Sequence, residues 1–191
     1  MSDNTPIIIG IGQITEPVPE NLDSASSHAD LAAAAARIAL EDAGISGASN
    51  QIDTIVGVRT FADSSPAHQS PYGGPTNFPR AVGQRVGADP EYAIYANVGG
   101  QTPQALVGEF AEKLHQGKTD LVLLAGGEVI ATIKAASRAR IQLDWSEQVG
   151  GQLEDRGLTD GEHLGTNQEY KHHVLLPIQF YGFMEQARRA E

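Results

Sequence analysis

The chain has 191 residues, with 24 acidic against 13 basic side chains, a formal net charge of −11 at pH 7, and no cysteine. So acidic a surface repels phosphate backbones and argues against nucleic acid as a partner. Without cysteine there is no disulfide framework, no thiolate chemistry and no zinc-ribbon site.

The hydrophobic share, 40%, and the alanine content suit a globular α/β domain. No segment reaches the roughly 20 apolar residues that span a bilayer. The opening Met1-Ser-Asp-Asn-Thr-Pro6 puts no basic residue before Ile7, so it is not a secretory signal, and a cytoplasmic protein is expected. His172 and His173 are adjacent rather than at the i, i+4 spacing of a helical metal pair, and no metal is expected.

Pro6 to Ile14 is a continuous β-branched run, which predicts a strand covered on both faces. After a loop from Glu16 to Ser27, an alanine-rich helix is predicted over Ala29–Ala43, opened by Ser27 or His28 and stopped by Gly44. A second strand is expected over Ile52–Val58, then a Ser-, Pro- and Gly-rich loop to Pro79, and a short helix over Arg80–Val86 ending at Gly87. Tyr92–Val98 reads as the third strand. It leads through Gly99-Gly-Gln-Thr102 into a helix over Thr102–Gln116, with Thr102 as its cap, Pro103 in its first turn and Gly117 as its stop. Leu106, Phe110 and Leu114 form its apolar stripe. Asp120–Ala125 is the fourth strand, followed by Gly126-Gly-Glu128 and a helix over Ala131–Ile141.

Strands alternating with helices of this length specify an α/β fold with a mostly parallel sheet flanked by helices. Residues 1–143 form that core. Residues 144–191 are an excursion, polar from Asp144 to Tyr170, then Leu175–Tyr181 and a further helix from Gly182 to Glu191. The chain stops inside that helix, which predicts a fragment or a separately encoded second half.

Several motifs invite chemistry. Gly10-Ile-Gly12 follows a strand as a dinucleotide loop does, but its third glycine is missing, and Glu16-Pro-Val-Pro19 cannot open the helix that would hold a pyrophosphate. It reads as a glycine bend. The turn Gly99–Thr102 faces the positive end of a helix dipole, where enzymes place a nucleophile or bind an anion, although a turn requiring positive φ would equally explain Gly99 and Gly100. Thr102 has no base identified for it, with His163, His172 and His173 in the irregular part. Arg80, Arg85, Lys134, Arg138 and Arg140 offer a possible anion-facing surface but read first as solvated charges, and Trp145 reads as an anchor for the excursion.

The order and spacing of several segments resemble the N-terminal half of thiolases, especially the sterol-carrier-protein type. These are Ile7–Gln13, Glu41-Asp-Ala-Gly44 before Ile52–Gly57, Asn97–Leu106, and above all His115-Gln-Gly117 followed by Asp120–Glu128, with Leu176–Gly182 later. The resemblance implies the first half of a thiolase-like layered fold, such as is often labelled acetyl-CoA acetyltransferase. Thiolases carry at that turn a cysteine that accepts the acyl group; here the position falls on Gly99, or Gly100, and neither can attack a thioester. The Gly-His-Pro and Asn-Glu-Ala-Phe motifs of the family's second half do not occur. The resemblance therefore implies an acyl-CoA-handling protein without the nucleophile. A coenzyme A thioester is its possible ligand, and Gly99, Gly100, Gln101 and Thr102 its substrate-binding turn. The partner is then a second copy or a C-terminal thiolase half. The alternative is a non-catalytic assembly subunit.

Overall fold

A computed structural model describes residues 4–64, 69–157, 166–174 and 177–190. The chain divides into two compact units, Met1–Asp160 and Gly161–Glu191.

The first unit is built on a four-stranded, all-parallel sheet. Its strands are β1 (Thr54–Gly57), β2 (Tyr92–Tyr95), β3 (Val122–Ala125) and β4 (Glu154–Asp155), in the order β3-β1-β2-β4. Successive side chains of a strand point to opposite faces. Accordingly Ile55, Tyr95 and Leu123 pack under α1 (His28–Asp42) and α2 (Phe78–Val86), while Val56 and Ile94 pack under Leu106 and Phe110 of α3 (Thr102–His115). All four residues of β1 are buried, the condition that its unbroken apolar run encodes.

The sequence signals for helix ends act as expected. Ser27 and Asp30 form a reciprocal capping box at the start of α1, worth about 1 kcal/mol. Gly44, Gly87 and Gly117 all take positive φ just past their helices. Ala29, Ala32 and Ala33 are fully buried and let α1 lie close on the sheet. At the amino edge, Asp53 accepts from the backbone N–H of Asp120 at 2.6 Å and of Leu121 at 3.4 Å, holding the start of β3 against β1.

The expected strand over Pro6–Ile14 is not one. The segment has no regular secondary structure and pairs with no described strand, and Ile7, Ile8 and Ile11 are 71%, 75% and 73% exposed. It lies against helices instead: a Cβ added at Gly10 or Gly12 would come within 2.2 Å of the Ala39 carbonyl oxygen or 2.1 Å of that of Ala35. Ile11 N–H donates to Asp42 Oδ2 at 2.9 Å, and Asn4 is bonded to His115. A cavity of about 910 Å3 lies between this strap and β3. The glycine pair therefore serves close contact with α1 rather than a bend. The β-branched run encodes extended backbone; which surface receives it is decided by packing.

The excursion is less irregular than its composition suggests. It is preceded by α4 (Ile130–Ala139), whose last turn closes at Arg140 with φ 58°. Trp145 anchors the start of the excursion: its ring meets Tyr72 edge-on at 5.6 Å, and its backbone N–H donates to the Tyr72 carbonyl at 2.7 Å. Residues 154–155 then add β4 beside β2, a strand too short to read in sequence. Arg156 clamps this edge to α3 through both carboxylate oxygens of Glu109, at 2.6 and 2.8 Å, and holds the Glu109 carboxyl down to about 2.

In the second unit, α5 (Asn167–Lys171) has no counterpart among the elements predicted from sequence; Thr166 and Glu169 cap it reciprocally. The final helix, α6 (Pro177–Arg189), starts five residues before the expected Gly182, because Pro177 fits the first turn of a helix. Leu175, Leu176 and His163 lie outside the described residues.

Candidate functional site

Because β1, β2 and β3 are parallel neighbours, their carboxyl ends emerge along one edge of the sheet, the edge where α/β folds bind ligands. Two features stand there: the turn after β2, and a cavity bordered by the segments after β1 and β3.

The turn departs from the sequence reading in detail. Helix α3 begins at Thr102, with Gln101 rather than Thr102 at the cap position, and no side chain caps it. The Thr102 hydroxyl is buried and without a hydrogen-bond partner among the described residues, so it neither caps the helix nor meets a base there. Its backbone N–H donates to the Gly99 carbonyl at 3.2 Å, and that of Ala105 to Gln101 at 3.1 Å. The amides of Gly100 and Gln101 remain without a partner among the described residues. Neither Gly99 nor Gly100 has positive φ, so backbone strain does not account for the glycines.

Space distinguishes the two positions. A Cβ at Gly99 would meet the Gln101 carboxamide, Oε1 at 2.8 Å and Nε2 at 2.9 Å, whereas one at Gly100 would meet nothing within 4 Å. The Gln101 side chain thus lies over the face of Gly99. Since it is a flexible side-chain end, Gly99→Cys is expected to fold with a Tm within about 3 °C of the parent, at a cost of roughly 1 kcal/mol. Iodoacetamide labelling of that thiol as fast as of an unfolded control would confirm displacement of Gln101, and a thiol protected in the native state would contradict it.

The cavity measures about 190 Å3 and is lined by His28, Thr60, Asp63, Phe78, Tyr95 and Glu128, among others. Of the six, the sequence analysis singles out only Glu128, as the end of the Asp120–Glu128 motif. His28 belongs to the first turn of α1; its ring stacks on Phe78 at 5.3 Å and hydrogen-bonds to no described residue. Gly74 makes room for it, since a Cβ there would lie 2.8 Å from His28 Cε1. Burial lowers the His28 pKa below its ordinary value despite the nearby carboxylates of Asp63 and Asp30, so the ring is neutral at pH 7.

Glu128 follows β3, and its Oε1 accepts the backbone N–H of Phe61. The side chain is partly exposed, and its partial burial raises the carboxyl pKa from its ordinary value, with that hydrogen bond offsetting part of the rise. The Tyr95 hydroxyl accepts from the Thr60 N–H at 3.4 Å, which leaves its own proton to donate, and burial pushes the phenol pKa up. Beneath it, Arg59 lies 4.0 Å from the Tyr95 ring centroid, its side chain only 4% exposed, bonded to Asp63 at 3.2 Å and to Asp155. The one legible signal is Glu128 itself, within the Asp120–Glu128 motif; His28 and Arg59 stand in segments that reveal no function locally.

The basic residues that could have formed an anion-facing surface are divided by the fold. Arg80 binds Asp89 at 3.1 Å, and Arg85 binds Asp30 at 2.7 Å and Glu147. Among the described residues no group of three or more His, Asp or Glu could hold a metal ion, and no helix is long and apolar enough to cross a membrane.

No protein-family profile and no curated protein matches the chain. Among solved structures, it is similar to a monomeric SCP2-thiolase-like protein type 1 from Mycobacterium smegmatis, with 36% sequence identity and a TM-score of 0.53. The likeness covers 65% of this chain and 24% of that one, so the chain spans well under half of the solved protein's length. With a parallel sheet between helices and this likeness in both sequence and structure, the chain has a thiolase-like fold.

Proposed function

We propose that the chain is an acyl-CoA-handling protein of the thiolase type, related to acetyl-CoA acetyltransferases but without a nucleophile of its own. The observation that carries this reading is the turn at the start of α3. By the resemblance in sequence it falls where thiolases carry their cysteine; it has glycine at 99 and 100, and leaves the Gly100 and Gln101 amides unpaired among the described residues beside the helix N-terminus. Two such donors suit the carbonyl oxygen of a bound coenzyme A thioester, polarising it without covalent capture. Thr102 contributes no backbone donor, because Gly99 takes its N–H.

Incubation with acetyl-CoA and acetoacetyl-CoA, followed by ultraviolet assay of the thioester, tests the reading. Micromolar binding of coenzyme A by calorimetry with no acyl adduct by mass spectrometry is the expected result; turnover through a covalent adduct would refute it.

A second reading, a non-catalytic subunit that pairs with another thiolase-like chain or with itself, is favoured by a separate observation. The strap carrying the exposed Ile7, Ile8 and Ile11 and the cavity of about 910 Å3 beside β3 form an apolar region at the open side of the sheet. Absence of coenzyme A binding at millimolar ligand, together with a dimer or hetero-complex in sedimentation, selects this reading.

A further inference from the structure

The cavity at the carboxyl edge holds chemistry that the thioester reading does not use. Glu128, Tyr95 and His28 reach it from three different elements: the segment after β3, the last residue of β2 and the first turn of α1. Its volume of about 190 Å3 is that of roughly six water molecules in the liquid. It lies below the ~300–1,000 Å3 of pockets for drug-sized ligands, so it suits a bound molecule of a few heavy atoms.

The walls also select by charge and polarity. Phe78, Val129 and Ile133 give the lining apolar surface, Asp63 and Glu128 give it carboxylates, and the described lining contains no lysine or arginine. The guanidinium of Arg59, over the Tyr95 ring, is already paired to Asp63 and Asp155, and that of Arg85 to Asp30 and Glu147. Carboxylates and phosphates are therefore disfavoured there. An uncharged molecule with one hydrogen-bond acceptor and an apolar body is complementary: a phenol and an imidazole can donate to the acceptor, and a carboxylate can take a proton from the body.

We propose that this cavity is an acid–base site for a small uncharged carbonyl compound, with Glu128 as the base and Tyr95 and His28 as hydrogen-bond donors to the carbonyl oxygen. In the step, the Glu128 carboxylate removes a proton from the carbon next to the carbonyl. The C–H electron pair becomes the carbon–carbon double bond of the enolate, and the carbonyl π pair moves to the oxygen, held by the Tyr95 O–H and a His28 N–H. Return of a proton from Glu128 regenerates the ketone, so the net reaction is isotope exchange and needs no oxidant or co-reactant. The step uses Glu128 in its ionised form, which a raised pKa makes the stronger base, and a neutral imidazole as donor.

Butanone in deuterium oxide, followed by proton NMR with the full chain, tests the proposal. A base positioned in such a cavity is expected to accelerate loss of the α-proton signals about 100-fold or more over the same concentration of free acetate. Glu128→Gln is expected to return the rate to background, and Tyr95→Phe to lower it about tenfold, both with the circular dichroism and Tm of the parent. Exchange at background in the wild-type chain overturns the proposal. So does a Glu128→Gln variant that exchanges as fast as the parent. A His28 ring resonance that shifts with n-butylammonium or butyrate but not with butanone overturns the assignment of ligand class, whatever becomes of the thioester reading.

Discussion

Phe78→Ala is expected to destabilise the chain by about 3–5 kcal/mol, and to lower Tm by roughly 10 °C. Phe78 is 2% exposed and stands where three elements meet: it opens α2, stacks on His28 of α1 at 5.3 Å, and tilts against Tyr95 of β2 at 5.4 Å. The fit extends to the backbone, because a Cβ at Gly57 would come within 2.6 Å of Phe78 Cδ1, so β1 admits the ring only by having glycine there. Truncation removes the transfer energy of the ring and leaves a void that rigid neighbours on a sheet fill poorly. Urea unfolding of Phe78→Ala and Phe78→Leu reads the result. A loss under 1 kcal/mol for the alanine variant would mean that the ring is not part of the core. The same substitution is expected to release His28, moving its pKa up towards the ordinary value as the burial that lowers it is lost.

Arg59→Ala is expected to cost about 3 kcal/mol, whereas Arg59→Met is expected to cost no more than about 1 kcal/mol. The guanidinium is buried, joins the end of β1 to β4 through Asp155, and lies over the Tyr95 ring, yet its Nε has no hydrogen-bond partner among the described residues. An unpaired buried donor carries a desolvation cost that the ion pairs only partly offset. Both carboxylate partners are about half exposed, at 50% and 51%, so water can solvate them once the arginine is gone. Methionine keeps much of the stem and a soft contact with the ring; alanine keeps neither. Denaturation of the two variants side by side decides the point, and equal losses would show that the ion pairs, rather than packing, hold this edge.

Helices α1 to α4 and strands β1 to β3 were legible in the sequence because their signals are local. Ser27 and Asp30 are three residues apart, Gly44, Gly87 and Gly117 sit one or two residues beyond their helices, and the Thr54–Gly57 run carries its burial in its own composition. The resemblance to thiolases rested on the same kind of information and pointed to the fold. Errors arose where the outcome depended on a partner distant in sequence. Pro6–Ile14 has the composition of a strand, yet its backbone lies against α1 and β3 remains an open edge. Residues 154–155 lack any strand pattern, yet pairing with Ile94 and Tyr95 makes them one. The cap of α3 shifted by one residue because Thr102 turns its hydroxyl inward.

From sequence alone came the α/β class, the placement of glycine at the turn after the third strand, and the absence of any cysteine that could act there. These follow from periodicity and from residue identity, which need no coordinates. Only the tertiary structure brought together His28, Tyr95 and Glu128, far apart in the chain, around one small cavity and left Arg59 beneath it. Pairing the ends of three parallel strands is a long-range event, and the burial that sets the protonation states of those groups exists only once it has occurred.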